Sequence, residues 1–377
     1  MSKRIYMASP TMYGDEQKFI QEAFDTNWIA PLGPNVNGFE QEMEAYTGIP
    51  YCTALSAGTA AIHLALKLLH IQQGDTVICS SFTFSATANP IAYEKGKIVY
   101  VDSEPETWNM SPEALKRALQ AHPEAKAVIV VHLYGTPAKI EEIQQICEDY
   151  KVPLIEDAAE SLGAFYKGKQ TGNFGELAAF SFNGNKIITT SGGGMLASKK
   201  EAYTKKALFL ATQAREPKRH YEHKEIGYNY RMSNIVAGIG RGQLMHIEEH
   251  IQKKKAIYET YKKAFSDIKG INMNPFEQEK AKPNFWLSCI TIEPEIKATV
   301  NDIMDALEKE NIESRPVWKP LHMQPVFKDC EFFSHREEGE VSVCEEIFSK
   351  GICLPSDIKN TPEDMKQIID IIQKMVK

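Results

Sequence analysis

The chain has 377 residues, 43% apolar and 25% charged, with a net charge of −7. That length exceeds one ordinary core and points to two or three domains, while the acidic balance argues against nucleic acid or an anionic membrane as partner. Seven cysteines with no CxxC pair, no apolar run of the roughly 20 residues a membrane span needs, and an N-terminus without a signal-like core predict a reduced, cytoplasmic protein with no metal site.

Residues 1–14 read as an irregular arm, followed by a helix from Asp15 to Asp25 with Phe19, Ile20, Ala23 and Phe24 on one face. Trp28-Ile-Ala-Pro-Leu-Gly33 is a loop whose apolar residues need a cover: a partner subunit, a substrate, or the chain's own domain. A short helix is expected over Phe39–Tyr46 and a strand over Tyr51–Leu55. The next helix opens with Ser56-Ala-Gly58-Thr59, where a Ser/Thr cap and a phosphate site at the free N–H groups predict the same letters.

Strands then alternate with helices. Strands are predicted over Thr76–Ser80, Ile98–Asp102, Ala127–His132 and Pro153–Asp157, with helices over Ser85–Tyr93, Pro112–Ala121 and Ile140–Tyr150. Unbroken apolar strands between amphipathic helices indicate an α/β domain with a mainly parallel sheet covered on both faces. Ligands of such sheets bind beyond the strands' carboxyl ends, where Phe84, His132 and Asp157 fall. A further buried strand, Ala178–Phe182, turns through Asn-Gly-Asn-Lys186 towards a second strand floored by Gly192–Gly194. A long helix is expected from Ser233 to Ser266, preceded by an aromatic and basic loop, Arg215–Arg231. The remainder reads as a smaller α+β domain. It has a polar excursion over Pro275–Pro283, a strand over Asn284–Glu293, and helices over Val300–Asn311, Glu337–Ser349 and Pro362–Met375. The expected division is 1–250 and 251–377.

A lysine at the mouth of an apolar sheet, with no carboxylate in its immediate sequence, is a candidate amine nucleophile, since desolvation favours the neutral amine. Lys186 answers that description. Asp157 can hold a proton on a cationic ring nitrogen, Gly58, Thr59 and Ser181 can form a phosphate cup, and Phe84 can cover a flat ring. Those four provisions are what pyridoxal phosphate asks of a protein.

The motifs Ser56–Ala61, Ser81-Phe-Thr-Phe84, Glu156-Asp157-Ala-Ala-Glu160, Ser181–Lys186 and Asn229-Tyr-Arg231 together resemble the DegT/DnrJ/EryC1/StrS sugar aminotransferases, fold-type I pyridoxal-phosphate enzymes, over essentially the whole chain. The resemblance implies pyridoxal 5′-phosphate as cofactor, with pyridoxamine phosphate between two half-reactions, and Lys186 as the linking lysine and proton carrier. Asp157 would pair with the ring nitrogen. Glu160 would stand near the ring oxygen, where many relatives carry Gln or His. Gly58, Thr59 and Ser181 would hold the phosphate, and Asn229 would reach it from the other subunit of an obligatory homodimer. Arg231, Arg315, Trp318 and His322 would lie near the substrate. Within the family, Trp28–Gly33, Thr212–Arg215 and Arg315-Pro-Val-Trp318-Lys look closest to enzymes that move an amino group from L-glutamate to C4 of a UDP-4-keto-6-deoxy-N-acetylhexosamine in exopolysaccharide synthesis.

Five other readings are weaker. A dehydrase of this fold would carry histidine in place of Lys186, and only the finer resemblance disfavours amination at C3 or of a GDP-sugar. A non-catalytic nucleotide-sugar regulator would not need Lys186, Asp157 and Ser181 together. Gly238-Ile-Gly-Arg-Gly242 falls inside a helical pattern, not at the strand-to-helix turn a dinucleotide fingerprint requires.

Overall fold

A computed structural model describes residues 3–376. Fifteen strands form among them: Tyr51–Leu55 (β1), Thr76–Ser80 (β2), Lys97–Val101 (β3), Ala127–Val131 (β4), Leu154–Asp157 (β5), Phe165–Tyr166 (β6), Lys169–Gln170 (β7), Leu177–Ser181 (β8), Gly194–Ser198 (β9), Ile271–Met273 (β10), Ala281–Lys282 (β11), Cys289–Ile292 (β12), Arg315–Pro316 (β13), Glu331–Phe333 (β14) and Gly351–Cys353 (β15). Eight of them make the main sheet in the order β1-β9-β8-β5-β4-β2-β3-β14. Both neighbours of β9 run antiparallel to it, and every other pair in the sheet is parallel. The expected α/β architecture with a mainly parallel sheet is present.

The apolar runs explain the layering. Every residue of Ala127-Val-Ile-Val-Val131 is buried, because helices cover both faces. One core packs Leu64, Leu66 and Leu210 against Val77, Ile129 and Leu196; the other packs Leu115, Leu119 and Ile143 against Ile78, Val128 and Val130. Alternate strand residues therefore feed opposite cores. A second, antiparallel sheet, β10-β12-β15-β13, carries its own core with Tyr261, Ile303 and Ile368.

The helix expected over Ser233–Ser266 is two helices, Asn234–Leu244 and Ile247–Phe265. The break falls at His246, whose ring stacks on Tyr13 and whose Nε2 lies 2.8 Å from Asp15 Oδ2. Docking of the N-terminal segment bends a stretch that local periodicity reads as continuous. The glycines of Gly238–Gly242 let the first of these helices lie against Phe19, Phe39 and the Asp15–Glu16 backbone, a packing role in place of a dinucleotide one. The helix expected over Glu337–Ser349 spans Val343–Lys350, because Ser342 and Glu345 form a capping box there. Within Pro275–Pro283, Ala281–Lys282 pairs with β6. The strand expected from Asn284 begins only at Cys289, and a helix over Glu201–Ala211 escaped the periodicity reading. Among the described residues no helix is long and apolar enough to cross a membrane, no disulfide forms, and no His, Cys, Asp and Glu group has the arrangement of a metal site.

Candidate active site

A cavity of about 390 Å³ opens at the carboxyl ends of β4, β5 and β8. Lys186 stands in it on the loop joining β8 to β9, its amide donating to Asn183 O at 3.0 Å. Its Nζ lies 3.2 Å from Glu160 Oε1 and 4.0 Å from the centre of the Trp286 ring. The indole Nε1–H of Trp286 in turn donates to Asn185 O at 2.6 Å, fastening the loop beside the lysine. The amine that looks isolated from carboxylates in the sequence is thus held between a carboxylate and an aromatic face.

Asp157 ends β5 and is 4% exposed. Its Oδ2 accepts from Thr87 Oγ1 at 2.7 Å and its Oδ1 from the Ala159 amide at 3.2 Å. Burial pushes its pKa above the ordinary carboxylate range, and Thr87 and Ala159 only partly offset this. Burial also raises Glu160, against the pull of Lys186 and of the Tyr134 amide, which donates to Oε2 at 2.7 Å. A cationic N–H placed beside these two buried carboxylates would offset the cost that burial puts on their charged forms.

The opposite wall is the start of the helix Gly58–Leu68. Its N-cap is Ala57 in extended conformation, no side chain caps it, and the first amide with a partner is that of Ala61. The capping alternative left open by the sequence is therefore absent, and the positive end of the helix faces the cavity. Gly194 makes this cradle possible: a Cβ there would lie 2.3 Å from Ala57 C and 2.4 Å from Gly58 N. Gly58 also fits closely on Ser181, whose Cβ would be 3.0 Å from an added methyl. Phe84, 58% exposed, reaches over the cavity and meets Trp318 at 5.7 Å between ring centres. An amine, a buried carboxylate, an anion cradle and a ring cover within one cavity fit pyridoxal phosphate.

Seven of the residues singled out for cofactor and catalysis line this cavity: Gly58, Thr59, Phe84, Asp157, Glu160, Ser181 and Lys186. Asn229 does not; its side chain is exposed and accepts from Gln213 Nε2 at 3.4 Å. Of the four substrate residues only Trp318 lines it. The Arg231 side chain, 7% exposed, forms a bidentate pair with Glu40 and also donates to Ala54 O at 3.1 Å, which leaves its guanidinium engaged. Arg315 is exposed beside Glu313, and His322 stacks on Phe332 while hydrogen-bonding Ser81 Oγ at 2.7 Å. His132, at a strand end, is structural: it accepts the Ala138 amide at Nδ1, so its proton sits on Nε2 and faces Glu156 at 3.0 Å. Sequence reasoning missed Trp286 and Thr87. Thr87 lay in plain view three residues after Phe84; Trp286 carried no local signal beyond being one of four tryptophans.

Residues 10–373 match the profile of the DegT/DnrJ/EryC1/StrS aminotransferase family. The chain belongs to that family. It is 53% identical over 376 residues to EpsN of Bacillus subtilis (strain 168), provisionally named a pyridoxal phosphate-dependent aminotransferase, covering 99% of this chain and 96% of the relative. It is 32% identical to the GDP-perosamine synthase of Caulobacter vibrioides, covering 99% and 98%. A DegT DnrJ EryC1 StrS aminotransferase from Brucella abortus superposes with a TM-score of 0.88 at 26% identity, covering 96% and 95%. This sugar aminotransferase accordingly has the fold of its family and takes pyridoxal phosphate as cofactor.

Proposed function

We propose that this aminotransferase moves the amino group of L-glutamate to C4 of a UDP-4-keto-6-deoxy-N-acetylhexosamine, in bacterial surface or exopolysaccharide synthesis, as a cytoplasmic homodimer with shared active sites. The 53% identity with EpsN, over 99% of this chain and 96% of that relative, supports the aminotransferase part of this reading. The exposed Trp28, Ile29 and Leu32, together with the exposed Asn229, support a second subunit covering this region.

The observation that carries the transaminase reading is the placement of Lys186 Nζ between Glu160 and Trp286, in the cavity shared by Asp157 and the uncapped helix. Pyridoxal phosphate, when bound, supplies the electron sink that lets an amino acid lose its Cα proton and its amino group. The free amides at Gly58 and Thr59, with the Ser181 hydroxyl, would bind the phosphate. Asp157 would hold a proton on the pyridine nitrogen, and that cation would draw the carboxyl, raised by burial, back to its charged form. Lys186 Nζ would take the proton from the reacting carbon and return it, with Glu160 Oε1 keeping the amine directed into the cavity. The Trp286 ring, its centre 4.0 Å from Nζ, would shield that face of the amine from water.

A GDP-4-keto sugar is the second reading, favoured by the likeness to a GDP-perosamine synthase over nearly the whole of both chains. The test is an absorbance spectrum of the purified enzyme. L-Glutamate should bleach the visible band of the lysine-linked cofactor, and the UDP-4-keto sugar should restore it. Restoration by the GDP-sugar alone would replace the substrate, and absence of any band after pyridoxal phosphate is added would overturn the reading of Lys186.

A further inference from the structure

Asn284 lies in the segment predicted as strand but found irregular, and it is fully buried. Its side chain makes three hydrogen bonds, all to backbone. Nδ2 donates to Glu160 O at 2.8 Å and to Leu162 O at 2.9 Å, and Oδ1 accepts from the Trp286 amide at 2.9 Å. Its own amide donates to Gly135 O at 3.2 Å, next to Tyr134, whose amide holds Glu160 Oε2. Every donor and acceptor of the side-chain amide that can reach a buried backbone group does so. The two residues that touch Lys186 Nζ, Glu160 and Trp286, are therefore tied to each other through this one amide. The fit leaves no slack: at Gly135, with φ +88°, an added Cβ would fall 1.8 Å from Asn284 Oδ1.

We propose that Asn284 is a positioning residue for the reactive lysine, setting Glu160 and Trp286 at once so that Nζ is held at the reacting carbon. The proposal rests on the reading of Lys186 as the reactive amine. Asn284 does not line the cavity and acts only through its two neighbours. Loss of the amide lets the Glu160–Leu162 turn and the Trp286 backbone shift separately. A misplacement near 1 Å at a reacting group costs up to about 100-fold in rate.

The test compares Asn284→Ala with Asn173→Ala, which removes a similarly buried amide that donates to Thr47 O at 2.8 Å, away from the cavity. The first readout uses cofactor-free protein. The chain has four tryptophans, so nitrogen-15 labelling gives four indole resonances, with that of Trp286 assigned through Trp286→Phe. The Trp286 indole signal should move or broaden in Asn284→Ala and stay in place in Asn173→Ala. The second readout is the L-glutamate half-reaction of the holoenzyme, where kcat should fall about 10- to 100-fold with KM within about twofold. An unmoved indole signal and a wild-type kcat, with only a lower melting temperature, would overturn the proposal. If Asn284→Ala does not fold, Asn284→Ser carries the same two measurements; if neither folds, the residue is a folding determinant and the proposal fails. Lys186→Ala separates the two levels: turnover retained in that variant would sink the reading of Lys186 itself, whereas a dead Lys186→Ala beside a normal Asn284→Ala would sink only the positioning role.

Discussion

Gly194→Ala tests whether the start of the helix Gly58–Leu68 is the phosphate site. The added Cβ would meet Ala57 C at 2.3 Å, Ala57 O at 2.4 Å and Gly58 N at 2.4 Å, all backbone atoms with no rotamer to yield. Since non-bonded carbons rest near 3.5 Å, the turn must retreat by about 1 Å. Overpacking of this kind costs about 1–3 kcal/mol of stability. The larger effect falls on the anion. A 1 Å retreat takes at least one amide out of hydrogen-bond range, and a hydrogen bond to a charged group is worth about 1.5–3 kcal/mol. At 1.4 kcal/mol per decade, the Kd for pyridoxal phosphate should rise by about 10- to 100-fold. The assay is a titration of cofactor-free protein with pyridoxal phosphate, read at the visible band, alongside the same titration with pyridoxal. Because pyridoxal lacks the phosphate, its affinity should change far less. Equal losses for both ligands, or a wild-type Kd for the phosphate form, would refute the assignment of this helix terminus.

Three further outcomes are expected. Burial raises the folded-state pKa of Asp157 above its unfolded value near 3.9, so the native state binds the proton more tightly and this group's contribution to stability falls as pH rises between the two values. In cofactor-free protein, the melting temperature of Asp157→Asn relative to wild type should therefore climb from about pH 4 upward and then level off; a difference flat with pH would contradict the burial argument. With cofactor bound, the same variant should lose most of its glutamate half-reaction rate, and a rate near wild type would remove Asp157 from the ring-nitrogen role. Trp286→Phe keeps an aromatic face beside Lys186 but deletes the hydrogen bond to Asn185 O, so it should cost about 1 kcal/mol in urea unfolding while Trp286→Ala costs 3–5 kcal/mol, and comparable losses would show that the indole N–H dominates.

Much of the candidate site is legible in the chain because its parts are local. Gly58, Thr59, Asp157, Ser181 and Lys186 each sit at the end of a strand or in the turn after it, and parallel strands align their carboxyl ends along one edge. The period-free runs of β2 and above all β4 likewise announce a sheet covered on both faces, since no alternation is needed where neither face meets water. What is not legible shares one cause: a side chain's partner lies far along the chain. No local pattern shows that Arg231 pairs with Glu40, 191 residues away, or that His322 meets Ser81 and Phe332. The helix after Ser233 reads as continuous until Tyr13 and Asp15 dock on His246.

Local pattern was enough to show the parallel sheet, the alternation of its elements and the candidates for the amine, the carboxylate and the phosphate turn. Those follow from periodicity, from strand-end positions and from contiguous motifs, all of which act over a few residues. Tertiary structure alone decided what surrounds the amine. Glu160 reaches Lys186 across 26 residues, Trp286 ties back to Asn185 across 101, and Asn284 bridges to Glu160 across 124. Hydrogen bonds and burial at such separations depend on how whole segments pack, and no local pattern encodes the partner a buried polar group will find.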